Sequence, residues 1–276
     1  RGSTGAGIVL DAGARAVAEF RRDARRRLRV SSDLGVPLPI SEDVARRLAP
    51  EGEGALSVRL THELPVGQGF GMSAAGATAT ALAVAALAHR SRSEAITAAH
   101  LAELFGGGGL GGVAAIAGGG GLELRRRGGV SPFGRTAHLP LPGAVFVGTV
   151  GGPLPSPRLL RDRRILDRVD RASEGLDELL RRPGARPFFE LSEQFTDRLG
   201  LAPPRLRKVL TALRSRGAWA AQAMFGRSFF AWPKDTERRD AVVAWLESAK
   251  LPAVEIAPAR RGAHVLGPPS AAQRRV

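Results

Sequence analysis

The stretch LPVGQGFGMSAAGATATALAVAALA (residues 64–88) sets glycine at 67, 69 and 71, serine at 73, and then a long alanine-rich run. The segment before it, ALSVRLTHELP (residues 55–65), alternates with period two and reads as a strand. Strand, glycine turn and helix together make a phosphate-binding arrangement. A helix start offers unpaired N–H groups and the positive end of a dipole. Glycines remove the Cβ atoms that would hold a phosphate away. Two familiar versions do not fit. A P-loop ends Gly-Lys-Ser/Thr, whereas this turn ends Gly71-Met72-Ser73. The dinucleotide fingerprint needs a third glycine where Met72 stands. A glycine turn with a serine cap and no ligand is the plain structural alternative.

The rest of the composition narrows the class. The chain has 276 residues, of which 43% are hydrophobic, enough for a sizeable core in one large or two modest domains. It contains no cysteine, which excludes disulfides, thiolate metal sites and cysteine nucleophiles and fits a cytoplasmic setting. The apolar run at residues 73–88 is short and mostly alanine, and it reads as a buried helix rather than a membrane span. The formal charge is +15, carried almost wholly by arginine, since Lys208, Lys234 and Lys250 are the only lysines. The arginines are spread along the chain and read as a compositional habit. The densest run, RRDARRRLR (residues 21–29), lacks the interleaved aromatics of a single-strand platform, and no nucleic-acid motif is present. The text begins GSTGAG after Arg1, so a preceding strand is expected.

Along the chain, residues 7–20 read as two strands joined by a tight turn. Residues 41–49 read as a helix capped by Ser41, residues 73–89 as the alanine-rich helix, and residues 93–105 as a helix capped by Ser93. Residues 122–127 and 144–150 read as strands. Pro140 and Pro142 mark a boundary between units 1–142 and 143–276. Helices are expected at 158–181, 187–199, 203–216 and 236–250. Strands are expected in AWAAQAMFG and SFFAWP and near 254–256 and 264–266. The mixture lacks regular alternation, which favours an α+β fold over a doubly wound sheet.

The order Pro-x-Gly-x-Gly-x-Gly-x-Ser, after a strand and before an alanine-rich helix, resembles the second signature of the GHMP kinases. Three further stretches resemble the archaeal pantoate kinases: GSTGAGIVLDAG (residues 2–13), AAHLAELFGGGGLGGVAAIAGGGGLELRRRGGVSPFG (residues 98–134) and AWAAQAMFGRSFFAW (residues 218–232). The resemblance implies a GHMP kinase-like fold, with an N-terminal ribosomal-protein-S5-domain-2-like layer and a C-terminal ferredoxin-like α/β sandwich. It implies ATP-dependent phosphorylation of pantoate with Mg²⁺, and a possible homodimer. Carried over position by position, Pro65, Gly67, Gly69, Gly71, Ser73 and Ala74 serve the nucleotide, with Gly226 beside them. Ser73 and Glu103 serve catalysis and the metal. Ser3, His100, Arg125 and Ser156 handle pantoate, Ser156 standing where the family usually has threonine. The choice of Arg125 over Arg126 or Arg127 rests on that resemblance. The other four histidines show no metal-ligand spacing.

One position departs from the pattern. GGLGGV (residues 108–113) has Gly112 where the family carries an aspartate near the acceptor hydroxyl, and no carboxylate stands between Glu103 and Glu123. Two readings stay open. Either the enzyme works more slowly without a side-chain base, or it keeps only nucleotide or pantoate binding. A kinase of this class for another small alcohol, such as homoserine or mevalonate, is a further alternative. The glycine excess around 106–121 reads as a drifted or flexible loop.

Overall fold

The computed structural model describes residues 2–154, 159 and 162–267. Three sheets and their covering helices position the site. β2 (Ala14–Arg21), β3 (Arg27–Ser32) and β4 (Ala55–His62) form a sheet in the order β2-β4-β3, antiparallel between β2 and β4 and parallel between β3 and β4. β1 (Gly5–Val9), β5 (Gly121–Arg127) and β6 (Arg135–Leu139) form an antiparallel sheet in the order β1-β5-β6. β7 (Val145–Thr149), β8 (Ala218–Gln222), β9 (Ser228–Pro233) and β10 (Ala253–Ile256) form the third, in the order β10-β7-β9-β8.

β4 shows why the first sheet forms. Leu56, Val58 and Leu60 are buried while Ser57, Arg59 and Thr61 are exposed, the period-two division of a half-buried strand. α2 (Met72–Leu87) packs on β2 and β4, α1 (Pro39–Leu48) on β3 and α2, and α3 (Arg92–Phe105) on α1 and α2. Val44, Ala45, Ala77, Ala81, Val84, Ala95, Ala99 and Ala102 close that core. The alanines of α2 are buried on nearly every side, so short side chains let neighbouring helices approach closely. No described helix is long and apolar enough to cross a membrane.

The remaining helices are α4 (Gly112–Gly118), α5 (Arg163–Ala172), α6 (Leu176–Arg181), α7 (Ala185–Leu199), α8 (Pro204–Arg214) and α9 (Thr236–Ser248). One core cluster lies wholly between Phe146 and Leu246, whereas another joins Leu122 and Leu124 to Val145, Val147, Phe188 and Phe189 across the expected boundary. After β10 the chain returns to the first half. The Ala259 amide donates to the Val9 carbonyl at 2.8 Å, and the Ala263 amide to Ile116 at 2.8 Å.

Several expectations are corrected. β1 and β2 are not a hairpin; they belong to different sheets, because β1 finds its partner in β5. α3 is capped by Ser91, which accepts from the Glu94 amide while Glu94 accepts from Ser91, a reciprocal capping box; Ser93 lies inside the helix. α1 begins at Pro39, whose fixed φ suits a first turn, and Ser41 is buried within the helix. The helix expected at 158–181 is split in its described part by Gly175, which has φ 95°. Residues 264–266 form no strand. β3, β6 and α4 were not expected.

Candidate functional site

The glycine turn has the conformation that only glycine adopts readily. Gly67, Gly69 and Gly71 take φ of 74°, 82° and 71°. Gly71 is the N-cap of α2, and no side chain caps that helix, so the amides of its first turn face outward for an acceptor. The turn is clamped by the second half of the chain. A Cβ on Gly69 would stand 2.0 Å from the Ala223 carbonyl oxygen, and one on Gly226 would stand 1.9 Å from that of Gln68. Ser228 Oγ donates to the same Gln68 carbonyl. Gln68 Nε2 donates to the Gly151 carbonyl at 2.7 Å, and the Leu154 amide donates to Gly67 at 2.9 Å. Gly226 thus sits in the turn between β8 and β9, close-packed against the loop. Pro65 is exposed at the strand end.

Ser73, in the first turn of α2, donates its hydroxyl proton to Glu103 Oε1 on α3. The Gly109 amide donates to the other carboxylate oxygen at 2.9 Å. Glu103 is only 1% exposed. Burial pushes its carboxyl above the usual range, opposed by the Ser73 and Gly109 hydrogen bonds. A hydroxyl and a carboxylate are hard oxygen donors. Mg²⁺ is commonly held by one or two carboxylates, with phosphate oxygens and waters completing the shell. The pair therefore fits Mg²⁺, and the missing third acidic ligand among the described residues is no objection.

Arg125 is buried, whereas Arg126 and Arg127 are exposed, so burial singles out the arginine chosen from the triple. Its Nε donates to the Ser3 carbonyl at 2.6 Å, and its Nη2 reaches Ser3 Oγ at 3.5 Å. Its Nη1 donates to Glu123 Oε1 at 2.9 Å and to the Gly111 carbonyl at 3.2 Å. Ser3, Gly67, Gly69, Gly71, Ser73, Ala74, Glu103, Gly112, Glu123 and Arg125 line one continuous cleft of about 2150 Å³, room for a nucleotide and a second small molecule. His100 is buried on α3, outside the lining of that cleft. Ser156 lies outside the described residues.

The glycines between α3 and α4 have a packing reason. A Cβ at Gly108 would meet the Glu103 carboxylate at 2.4 Å, and one at Gly111 would meet the Arg125 guanidinium at 2.2 Å. The loop is thin because two buried charged side chains lie against it. Gly112 opens α4 beside the first turn of α2, and a Cβ there would stand 2.6 Å from Ala74 Cβ.

Glu123 is a residue of the site that no sequence motif marks. It is two residues before Arg125 on one strand, so period two puts both side chains on one face of the sheet. That signal was present, but only burial gives it weight. Gln68, the buried clamp residue, carried no signal beyond its place among the glycines.

Comparison with known proteins gives the chain's family and fold. Residues 40–120 match the model of the GHMP kinases N terminal domain. The chain is 30% identical over 249 residues to a pantoate kinase of Thermococcus kodakarensis, covering 87% of this chain and 82% of that one. It is 29% identical over 245 residues to a pantoate kinase of Methanospirillum hungatei, covering 86% and 80%. A solved structure described as a phosphotransferase related to the CoA biosynthesis pathway superposes with a TM-score of 0.82 at 27% identity, covering 95% of this chain and 88% of that one. L. major mevalonate kinase shares the fold, with a TM-score of 0.67 at 18% identity over 95% and 91% of the two chains. With its uncapped helix behind a positive-φ glycine turn and its sequence kinship along most of its length, the chain belongs to the pantoate kinases of the GHMP kinase superfamily.

Proposed function

We propose that the protein transfers the γ-phosphoryl group of ATP to the primary hydroxyl of pantoate, giving 4-phosphopantoate for coenzyme A biosynthesis. The observation that supports this most is one cleft holding three things together: the uncapped start of α2, the exposed Ser73 hydroxyl bonded to the buried Glu103, and the buried Arg125. Phosphoryl transfer is mostly positioning and charge neutralisation, and these groups supply both.

In this reading the units 1–142 and 143–276 meet at the glycine turn, and the amides of Gly69 to Ala74 take the triphosphate. Ser73 and Glu103 would hold Mg²⁺, which when bound neutralises phosphate charge. Arg125 and Ser3 face the acceptor's carboxylate; the guanidinium would meet it through Nη2, whose one contact is the long one to Ser3 Oγ, since Nε and Nη1 are engaged by Ser3, Gly111 and Glu123. Roles for His100 and Ser156 rest on the family resemblance alone.

The direct test is turnover. Purified protein with ATP, Mg²⁺ and pantoate should release ADP and yield a phosphorylated acid, while homoserine and mevalonate should not react. Turnover of another alcohol in place of pantoate would move the substrate assignment. ATP binding with no transfer to any alcohol would select a binding protein, the alternative that Gly112 raises.

Gly112→Asp does not simply restore the family aspartate here. Its Cβ meets Ala74 Cβ at 2.6 Å, too close without a shift of α2's first turn. The single variant is expected to lose ATP affinity and some stability. Gly112→Asp combined with Ala74→Gly should recover ATP affinity, while part of the stability stays lost to a glycine inside α2. A calorimetric titration with ATP and a melting curve on the two variants check this.

A further inference from the structure

With glycine at 112, α4 offers the acceptor hydroxyl no base, yet one buried carboxylate of the cleft has no part in the roles above. Glu123 on β5 is 1% exposed and lines the cleft. Glu103 is the other buried carboxylate among the described residues, and it is engaged by Ser73 and Gly109. The neighbouring strand leaves room for the Glu123–Arg125 pair. β1 sets Gly7 opposite Glu123 and Gly5 opposite Arg125. A Cβ at Gly5 would lie 2.9 Å from Arg125 Nη2. The single nitrogen Nη1 of Arg125 binds both Glu123 and the carbonyl of Gly111. The carboxylate is thereby tied to the backbone next to the position where the aspartate is absent. A buried ion pair is weak evidence of stabilisation, since desolvation offsets most of its attraction. Its place in the lining of a ligand cleft points to chemistry.

We propose that Glu123 is the proton acceptor for the substrate's hydroxyl, taking over on β5 the task of the carboxylate missing from α4. This rests on the phosphoryl-transfer reading above. The hydroxyl proton passes to a Glu123 oxygen as the substrate oxygen bonds to the γ-phosphorus. The bond from that phosphorus to the β,γ-bridging oxygen breaks, and its electron pair leaves on ADP. Glu123 returns the proton to water after the product departs. Arg125 stays beside Glu123 throughout, facing the acceptor's acid group.

The charge environment suits a base near neutrality. Burial pushes the Glu123 carboxyl up to about 7, opposed by the Arg125 charge and hydrogen bond. Other titratable groups are few on the packed elements. His138 on β6 pairs with Glu123 in register, with its ring against Gly118 and Gly119, and burial lowers its basicity. β1 carries no ionisable residue between Gly5 and Val9, and neither does α4. α6 packs Leu179 and Leu180 with Leu122 and Leu124 and leaves Asp177, Glu178 and Arg181 exposed. A base must be ionised, so the rate should fall as pH drops through about 7.

The test is kcat against pH from 5.5 to 9 for the wild type, Glu123→Gln and Glu123→Asp, with melting curves and ATP affinity on each. Glutamine keeps an oxygen for Arg125 and should fold. Glu123→Gln is expected to lower kcat about 10²–10⁴-fold and flatten the acid limb, with KM for both substrates within a few-fold. Glu123→Asp should recover part of the rate. A Gln variant with kcat within threefold of wild type, or with the acid limb intact, overturns the proposal. So does a raised KM for the acid with unchanged kcat, which would mean that Glu123 only holds Arg125. If the wild type phosphorylates a different alcohol, the pantoate assignment fails while the same comparison on that alcohol still decides Glu123. If it phosphorylates none, both fall.

Discussion

Glu103→Gln is expected to reduce phosphoryl transfer by on the order of 10²–10³-fold, the scale seen when one preorganised electrostatic group is removed from a transition state. The amide is nearly the same size, so the packing against Gly108 changes little. The charge is what disappears. Ser73 then loses its carboxylate acceptor, and the oxygen set facing the phosphates keeps no formal charge of its own. A second readout separates charge from fold. ATP with Mg²⁺ should raise the wild-type melting temperature more than ATP with EDTA does, and the variant should show no such difference. A variant that keeps full turnover, or the full Mg²⁺-dependent increment, would remove Glu103 from the site.

Gly69→Ala should have the largest effect on nucleotide affinity. Its φ of 82° disfavours any side chain, and its Cβ would lie 2.0 Å from the Ala223 carbonyl. A backbone atom cannot step aside as a flexible side chain can. Either the glycine turn or the β8–β9 turn must move, which also disturbs the Gln68 carbonyl that Ser228 holds. The expected result is at least about tenfold weaker ATP binding, with a stability loss of more than 1 kcal/mol. Gly71→Ala is the control. Its φ is also positive, but no atom lies within 4 Å of its Cβ position, so it should keep more of its stability. Equal losses in both variants would mean that conformational strain, not the clamp, governs the loop.

The parts of this site that were legible in the sequence have local causes. Glycines at alternate positions between an alternating strand and an alanine run reveal a turn because backbone freedom is needed just there. Arg125 was legible only by resemblance, since three adjacent arginines look alike until a strand buries the first and exposes the others. β3 carries a sequence signal, since Arg27 and Arg29 alternate with Leu28 and Val30, which pack against the first core, but the arginine run around it reads first as charge. α4 stayed hidden because glycine is a poor helix former; burial of Val113 and Ala114 outweighs that propensity. The glycines at 108 and 111 suggested looseness, yet they are small because Glu103 and Arg125 occupy the space their side chains would take. Such long-range causes leave no periodic trace.

The start of α2 is expected to hold the triphosphate. A crystal structure of the protein with a non-hydrolysable ATP analogue and Mg²⁺ tests it most directly. Phosphate oxygens are expected within hydrogen-bond distance of amides between Gly69 and Ala74, with the metal touching Ser73 and Glu103. Phosphates bound elsewhere in the cleft, with those amides still facing water, would contradict it.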